Sequence, residues 1–234
     1  MSGMLMAIKL TEAGLDNYRI YDKASEVGGT WRENTYPGAG CDVAAHYYTY
    51  QDVPNPDWST RLPQGSEIQE YLLRVVETRG LRERISFNKE VVHAHHDGDR
   101  WTVTFRDGAS EQADFVIACC GLLHHPRYPS IPGLEDFAGA RFHSARWDHS
   151  VALQGKRVGV LGNGSTGVQI ITALAQRGIE LTVFQRTPQW VFPLPDRRYG
   201  ALDKAIVRHV PGLARLIHHT YRVAFENLFA RAVL

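Results

Sequence analysis

The segment KRVGVLGNGSTGVQIITALAQRGIELTVFQR, Lys156 to Arg186, constrains the fold more than any other stretch. It opens on a short apolar strand, Arg157 to Leu161, that runs straight into Gly162, Gly164 and Gly167. Val168, Ile171 and Leu174, with Ile170 and Ala175 beside them, then repeat at helical spacing and predict a helix from about Ser165 to Gln176. Gly178 ends that helix, and Leu181 to Gln185 reads as a second strand. Strand, glycine turn, helix and strand make one βαβ unit. In such a turn the first glycine allows the tight bend and the second lets the backbone approach a pyrophosphate. The third permits close packing of the helix, whose free N–H groups face the phosphates. A G-x-G-x-x-G run alone is a weak signal; between a strand and a helix it predicts dinucleotide binding, against the alternative of a turn that is merely rich in glycine.

The N-terminus carries a weaker echo. Gly3 begins a helix-like run with Leu5, Ile8 and Leu10, and Gly14 follows Gly3 by eleven residues, as Gly178 follows Gly167. A strand from Tyr18 to Tyr21 ends at Asp22, nineteen residues past Gly3. This is the same unit without its opening strand, and the expectation is that the chain starts inside a motif, as a fragment, a truncated product or a mis-called start. The strand ends separate the cofactors. A carboxylate at Asp22 accepts the ribose hydroxyls of FAD or NAD. In the second unit the equivalent place, nineteen residues past Gly167, holds Arg186, whose guanidinium suits the 2′-phosphate of NADPH. The other reading of Arg186 is a solvated surface arginine.

Between the units, GGTWRENTYPGAGCD reads as a long loop and SEIQEYLLRVVETRGL as an amphipathic helix with Ile68, Tyr71, Leu72 and Val75 on one face. RISFNKEVVHAHH, RWTVTFRDG and QADFVIACC read as three strands of a small β-meander. The proline-rich HHPRYPSIPGLEDF marks a boundary, giving residues 1–125 as a partial FAD-binding domain and 126–234 as a partial NADPH-binding domain. Leu213, Leu216, Ile217, Ala224, Phe225, Leu228 and Phe229 space out a further amphipathic helix. The fold class is therefore α/β: two Rossmann-like domains, the first incomplete and, with its sheet edges unpaired, the less stable.

With 26 basic and 25 acidic side chains the net charge is +1, which gives no bulk attraction for nucleic acid or an acidic membrane. No apolar run is long enough for a spanning helix, and MSGMLMAIKL lacks the basic start and cleavage site of a signal peptide. Three cysteines, Cys41 and the adjacent Cys119 and Cys120, make no disulfide framework and point to a reducing, cytoplasmic compartment. Cys119 and Cys120 read as core residues. No metal site is expected: His93, His95 and His96 sit in a strand beside a turn, and the pairs His124–His125 and His218–His219 lack partner ligands.

FAGARFHSARWD, fourteen residues ahead of the glycine turn, carries Phe137, Gly139, His143, Trp147 and Asp148 in the order F-x-G-x-x-x-H-x-x-x-W-[PD]. A second run holds Gly28, Gly29, Trp31, Tyr36, Pro37, Gly38 and Asp42 in the order [AG]-G-x-W-x-x-x-x-[FY]-P-[GM]-x-x-x-D. Together they resemble the signatures of type I Baeyer–Villiger monooxygenases, within the flavin-containing monooxygenase superfamily, over about the first half of such a protein. The resemblance implies FAD and NADPH as cofactors, and O2 and a small-molecule ketone as substrates. NADPH would reduce FAD, O2 would add to form a C4a-peroxyflavin, and attack on the carbonyl with rearrangement would give an ester or lactone. It implies that His143 and Trp147 link cofactor binding to domain movement; Phe137, Phe142 and Trp147 read equally as anchors of an interdomain core. It makes Asp42 the carboxylate that orients a catalytic arginine expected beyond residue 234, the alternative being a turn-capping aspartate. Gly29, Thr30, Trp31 and Tyr48 correspond to flavin contacts, Ser165 and Thr166 to the pyrophosphate turn, and Thr187 to the 2′-phosphate site. A nitrogen- or sulfur-oxidising flavin monooxygenase is a second reading, although its related motif usually lacks the Trp. A catalytically inactive fragment binding NADPH at most is a third.

Overall fold

The computed structural model describes residues 1–121, 125–191 and 195–233, with the side chains of 228–233 outside the description. His124 and the side chains of Leu228 and Phe229 therefore lie outside the described residues. The chain forms two compact units, Met1–Arg32 with Gln69–His125, and Glu33–Ile68 with Pro126–Leu234. The segment from Glu33 to Ile68 groups with the second unit.

In the first unit, helix α1 (Ser2–Glu12) buries Met4, Ala7 and Ile8. Strand β1 (Ile20–Tyr21) follows, and then one helical turn, α2 (Thr30–Glu33), inside the stretch read as loop. Gly28 and Gly29 enter that turn at φ +131° and +52°, conformations that side chains rarely adopt. Helix α3 (Gly65–Thr78), which belongs to this unit from Gln69 on, buries Tyr71, Leu72, Val75 and Val76 as well as Ile68, which is the apolar face its periodicity predicts. RISFNKEVVHAHH is two strands rather than one: β2 (Ile85–Ser86) pairs in parallel with β1, and β3 (Val91–His96) belongs to the meander. Asn88, at φ +54°, lies in the break between them. Strand β4 (Trp101–Phe105) pairs antiparallel with β3 and with β5 (Ser110–Ala113). Its alternate residues Val103 and Phe105 are buried, and the Tyr21 ring packs 4.7 Å from that of Phe105. His93, His95 and His96 stand on the exposed strand β3.

QADFVIACC departs from its expected strand. The ladder ends at Ala113, and Phe115 to Cys120 run outside any strand with Phe115 85 % exposed. Cys119 and Cys120 are accordingly exposed, not core residues; no described ladder covers this apolar run. Cys41, in contrast, is buried, and burial pushes its thiol up to about 11. At pH 8 its thiolate fraction is about one in a thousand, so a thiol reagent is expected to label two cysteines quickly and the third only on unfolding. Timed alkylation with mass spectrometry checks this; early labelling of Cys41 would contradict it.

In the second unit, strand β6 (Arg157–Leu161), helix α4 (Ser165–Gln176) and strand β7 (Glu180–Phe184) reproduce the predicted βαβ unit. β6 and β7 are parallel, in register from Arg157↔Glu180 to Leu161↔Phe184. Ile170, Leu174 and Ile179 form the core with Tyr36, and Ala39, Trp147, Leu153, Val158, Val160 and Leu181 pack around them. Residues 59–62 lie along 196–199: Tyr199 N–H donates to the Ser59 carbonyl and Arg61 N–H to that of Arg197, both at 2.8 Å. Helices α5 (Ala201–His209) and α6 (Leu213–Val233) follow. α6 meets Tyr47 through His218 and Phe225, at ring separations of 5.4 and 5.3 Å. The covered face of α6 matches the expected one in part: Leu213, Ile217 and Phe225 are half-buried with His218 and Tyr221, while Leu216 and Ala224 are exposed. Among the described residues no helix is long and apolar enough to cross a membrane.

Candidate functional site

The glycine turn of the second unit has a geometry each glycine explains. Gly162 turns at φ +106°, with its N–H held by the Phe184 carbonyl at 2.9 Å. A Cβ on Gly167 would fall 2.5 Å from the Gly162 carbonyl oxygen, so only glycine lets the helix start this close to the bend. Gly164 is the N-cap of α4 in extended conformation (φ −65°, ψ 179°), with nothing within 4 Å of where its Cβ would be. Gly164 itself offers no side chain to cap the helix. The first turn of α4, beginning with Ser165 and Thr166, therefore keeps backbone donors free to meet an anion, with the helix dipole favouring negative charge.

Asn163, which sequence reasoning left as an unassigned position between two glycines, ties this turn to the end of β7. Its amide nitrogen donates to Gln185 Oε1 at 2.6 Å and to the Thr187 carbonyl at 2.9 Å. The bend and the Gln185–Thr187 strand end are thereby fixed to one another, with Arg186 exposed between the two anchors. A carboxamide inside a G-x-G run is the signal that could have shown this.

The fingerprint residues fall into two environments. Trp147 packs on the core around Leu174 and meets the Phe142 ring edge-on at 5.0 Å. His143 caps a short 3-10 turn, its Nδ1 accepting the Ala145 N–H at 3.1 Å, and partial burial followed by the Arg146 charge pushes its pKa down. Asp148 accepts the hydroxyl and N–H of Ser150 at 2.6 and 2.9 Å, and these hydrogen bonds hold its carboxyl below the usual range. Phe137 is 63 % exposed and does not join the core expected of it; its ring lies over Gly139 instead.

The second signature docks onto α4. Tyr36 is buried against Ile170 and Leu174, and its hydroxyl donates to Gln169 Oε1 at 2.8 Å. Gln169 Nε2 donates to the Gly40 carbonyl at 2.9 Å. Gly38, at φ +83°, passes so close that a Cβ would lie 2.7 Å from the Gln169 carbonyl oxygen and 3.0 Å from Ala173 Cβ. Asp42, two residues beyond Gly40, is exposed; Tyr48 is half-buried, its N–H bound to the Ala44 carbonyl at 2.9 Å. Sequence reasoning missed Gln169, a polar side chain flanked by Val168 and Ile170.

In the first unit, Gly3 lies in α1 where a Cβ would touch Cys119 Cβ at 3.5 Å. Asp22 follows β1: its N–H donates to the Ser86 carbonyl at 3.1 Å, and its Oδ1 accepts the Ala24 N–H at 2.9 Å. Gly29 leads into Thr30 and Trp31, the first residues of α2.

Comparison with known proteins decides the family. The model of flavin-binding monooxygenase-like proteins matches residues 2–202. The chain belongs to this family. Among its relatives, an uncharacterized monooxygenase of Mycobacterium tuberculosis is 49 % identical over 208 residues, covering 89 % of this chain and 42 % of that protein. The acetone monooxygenase (methyl acetate-forming) of Gordonia sp. is 44 % identical over 240 residues, covering 99 % and 45 %. Among solved structures, a cyclohexanone monooxygenase mutant from Rhodococcus sp. Phi1 bound to NADP+ superposes with a TM-score of 0.80 at 38 % identity, covering 89 % of this chain and 41 % of that one. This flavin-binding monooxygenase-like chain thus spans about two fifths of the length of the relatives it matches.

Proposed function

We propose that the protein is an NADPH- and O2-dependent flavoprotein monooxygenase of Baeyer–Villiger type, acting on a ketone to give an ester or lactone, in the cytoplasm. The observation that carries the reading is the turn from Gly162 to Gly167, locked by Asn163 to the strand end that bears Arg186. Its close glycine approach and open second glycine, an N-cap without a side chain, fit a dinucleotide pyrophosphate. The cation at Arg186 fits a 2′-phosphate. Asp22, a carboxylate directly after β1, fits the ribose hydroxyls of FAD. When bound, NADPH supplies hydride and FAD supplies oxygen activation.

The chain's own part is binding and placement. The backbone at Gly162, Gly164 and Gly167 makes room, the N–H groups of Ser165 and Thr166 meet the pyrophosphate, and Arg186 with Thr187 takes the 2′-phosphate. Gly3, Asp22, Gly29, Thr30 and Trp31 would hold FAD. Asp42 and Tyr48 keep the roles the resemblance gives them, and Phe137, Gly139, His143, Trp147 and Asp148 keep the fingerprint's place on the connection at the start of the NADPH-binding domain. The homologous acetone and cyclohexanone monooxygenases support a ketone substrate.

Arg186→Ala is expected to weaken NADPH binding about 10- to 100-fold, the loss of a charge-assisted contact of about 1.5–3 kcal/mol, and to change NADH binding less than about twofold. Fluorescence titration with both nucleotides checks it; equal losses for the two would contradict a 2′-phosphate role. The function itself is tested by loading the purified chain with FAD and removing the excess. The expected result is a retained flavin spectrum that bleaches with NADPH and, in a protein that also carries the downstream arginine, ester formed from a cyclic ketone in air. No retained flavin, or sulfoxide formed from a sulfide with no ester, contradicts the reading.

A further inference from the structure

The two signatures, separate in sequence, meet at one side chain. Gln169 lies four residues past Ser165, about one turn into α4, and both ends of its amide are used. The oxygen takes the Tyr36 hydroxyl and the nitrogen gives to the Gly40 carbonyl. Only glycine at position 38 lets the loop come this close. We propose that Gln169 is a positioning residue that ties the Asp42 loop to the nucleotide-binding helix, so that occupancy of the Gly162–Gly167 turn is transmitted to the backbone leading to Asp42. The proposal rests on the NADPH reading above.

The physical route is short. Phosphates at the N-terminus of α4 restrain its first turns. The Gln169 backbone is part of those turns, and its side chain is a fixed strut to the loop on one side and to a buried tyrosine on the other. Beyond Gly40 the chain is held again where Cys41 N–H donates to the Pro63 carbonyl at 2.9 Å, and Gly65 N–H donates back to the Ala39 carbonyl at 2.9 Å. Movement of the strut therefore reaches Cys41, the residue before Asp42, through one hydrogen bond and the Gly40–Cys41 peptide. Without it the loop keeps its Pro63 anchor but loses its register on the helix.

Hydrogen exchange on the full chain, with and without saturating NADP+, tests this. In the native protein the Ala39 and Cys41 amides are expected to exchange slowly, and NADP+ should slow them further together with Ser165 to Val168. In Gln169→Leu the two loop amides should exchange about tenfold faster, as for a lost net interaction of about 1.4 kcal/mol. NADP+ should still protect Ser165 to Val168 there but no longer the loop. Tyr36→Phe keeps the ring in the core and removes one of the two bonds; about threefold faster loop exchange is expected with the nucleotide effect retained, so the proposal stays testable if Gln169→Leu does not fold. Wild-type exchange rates in the variants, or equal loop protection by NADP+ with and without Gln169, would overturn it. Failure of NADP+ to protect Ser165 to Val168 in the native protein would overturn the NADPH reading and the coupling together, whereas failure of the coupling alone leaves that protection intact.

Discussion

Replacing Gly167 by alanine is expected to weaken NADPH binding at least about 100-fold and to destabilise the second unit. The new methyl would sit 2.5 Å from the Gly162 carbonyl oxygen and 3.1 Å from its carbon. Both atoms are backbone, held by the Gly162 N–H bond to Phe184 and by the Asn163 amide, so relief requires the turn to move away from the helix. Overpacking of this kind costs about 1–3 kcal/mol, and a displaced turn no longer presents the N-terminus of α4 to the phosphates. A fall of at least about 100-fold in NADPH affinity follows, about 2.8 kcal/mol. Gly164→Ala separates the two effects. Its Cβ meets nothing within 4 Å and its backbone is ordinary, so stability should stay within about 0.5 kcal/mol while nucleotide affinity drops. Urea unfolding and calorimetric titration of the pair check this. Native-like affinity in Gly167→Ala, or normal binding in Gly164→Ala, would count against the turn as the nucleotide site.

Leu174→Ala is expected to have the largest effect on folding. Leu174 is fully buried at the centre of the core shared by Tyr36, Ile170 and Ile179, and its carbonyl accepts the Arg177 and Ile179 N–H groups that end α4. Truncation leaves a cavity beneath Tyr36 as well as losing apolar burial, about 2–5 kcal/mol in sum. With a urea dependence of about 1–3 kcal/mol per molar, the midpoint should fall by at least about 0.7 M. Exposed Leu216→Ala, on α6, is the comparison and should move it little. Equal effects from the two variants would show that the α4 core does not carry the stability of this unit.

The second βαβ unit was legible almost to the residue because each of its signals is local: a short apolar strand, glycines at a turn, a 3.6-residue period and a terminating glycine. The face of α3 was legible for the same reason. The parts that were not legible depend on contacts distant in sequence. Nothing within Glu33–Ile68 announces that Gly38 fits against Gln169, 131 residues away, so the segment's grouping with the second unit was invisible. QADFVIACC has the composition of a buried strand, yet strand formation needs a neighbour to hydrogen-bond, and Phe115 to Cys120 have no ladder partner among the described residues. Asn163 and Gln169 carry ordinary polar side chains whose roles appear only when both of their partners are placed. Phe137, a fixed position of the fingerprint pattern, reads as a core anchor because it is aromatic, and lies exposed.

Calorimetric titration of the purified chain with NADPH and, separately, with NADH tests the central claim, that the turn at Gly162 with Arg186 beyond it is an NADPH site. One NADPH per chain, bound at least about tenfold more tightly than NADH, a difference of about 1.4 kcal/mol, is the predicted result. No binding of either nucleotide, or equal affinity for both, would contradict it.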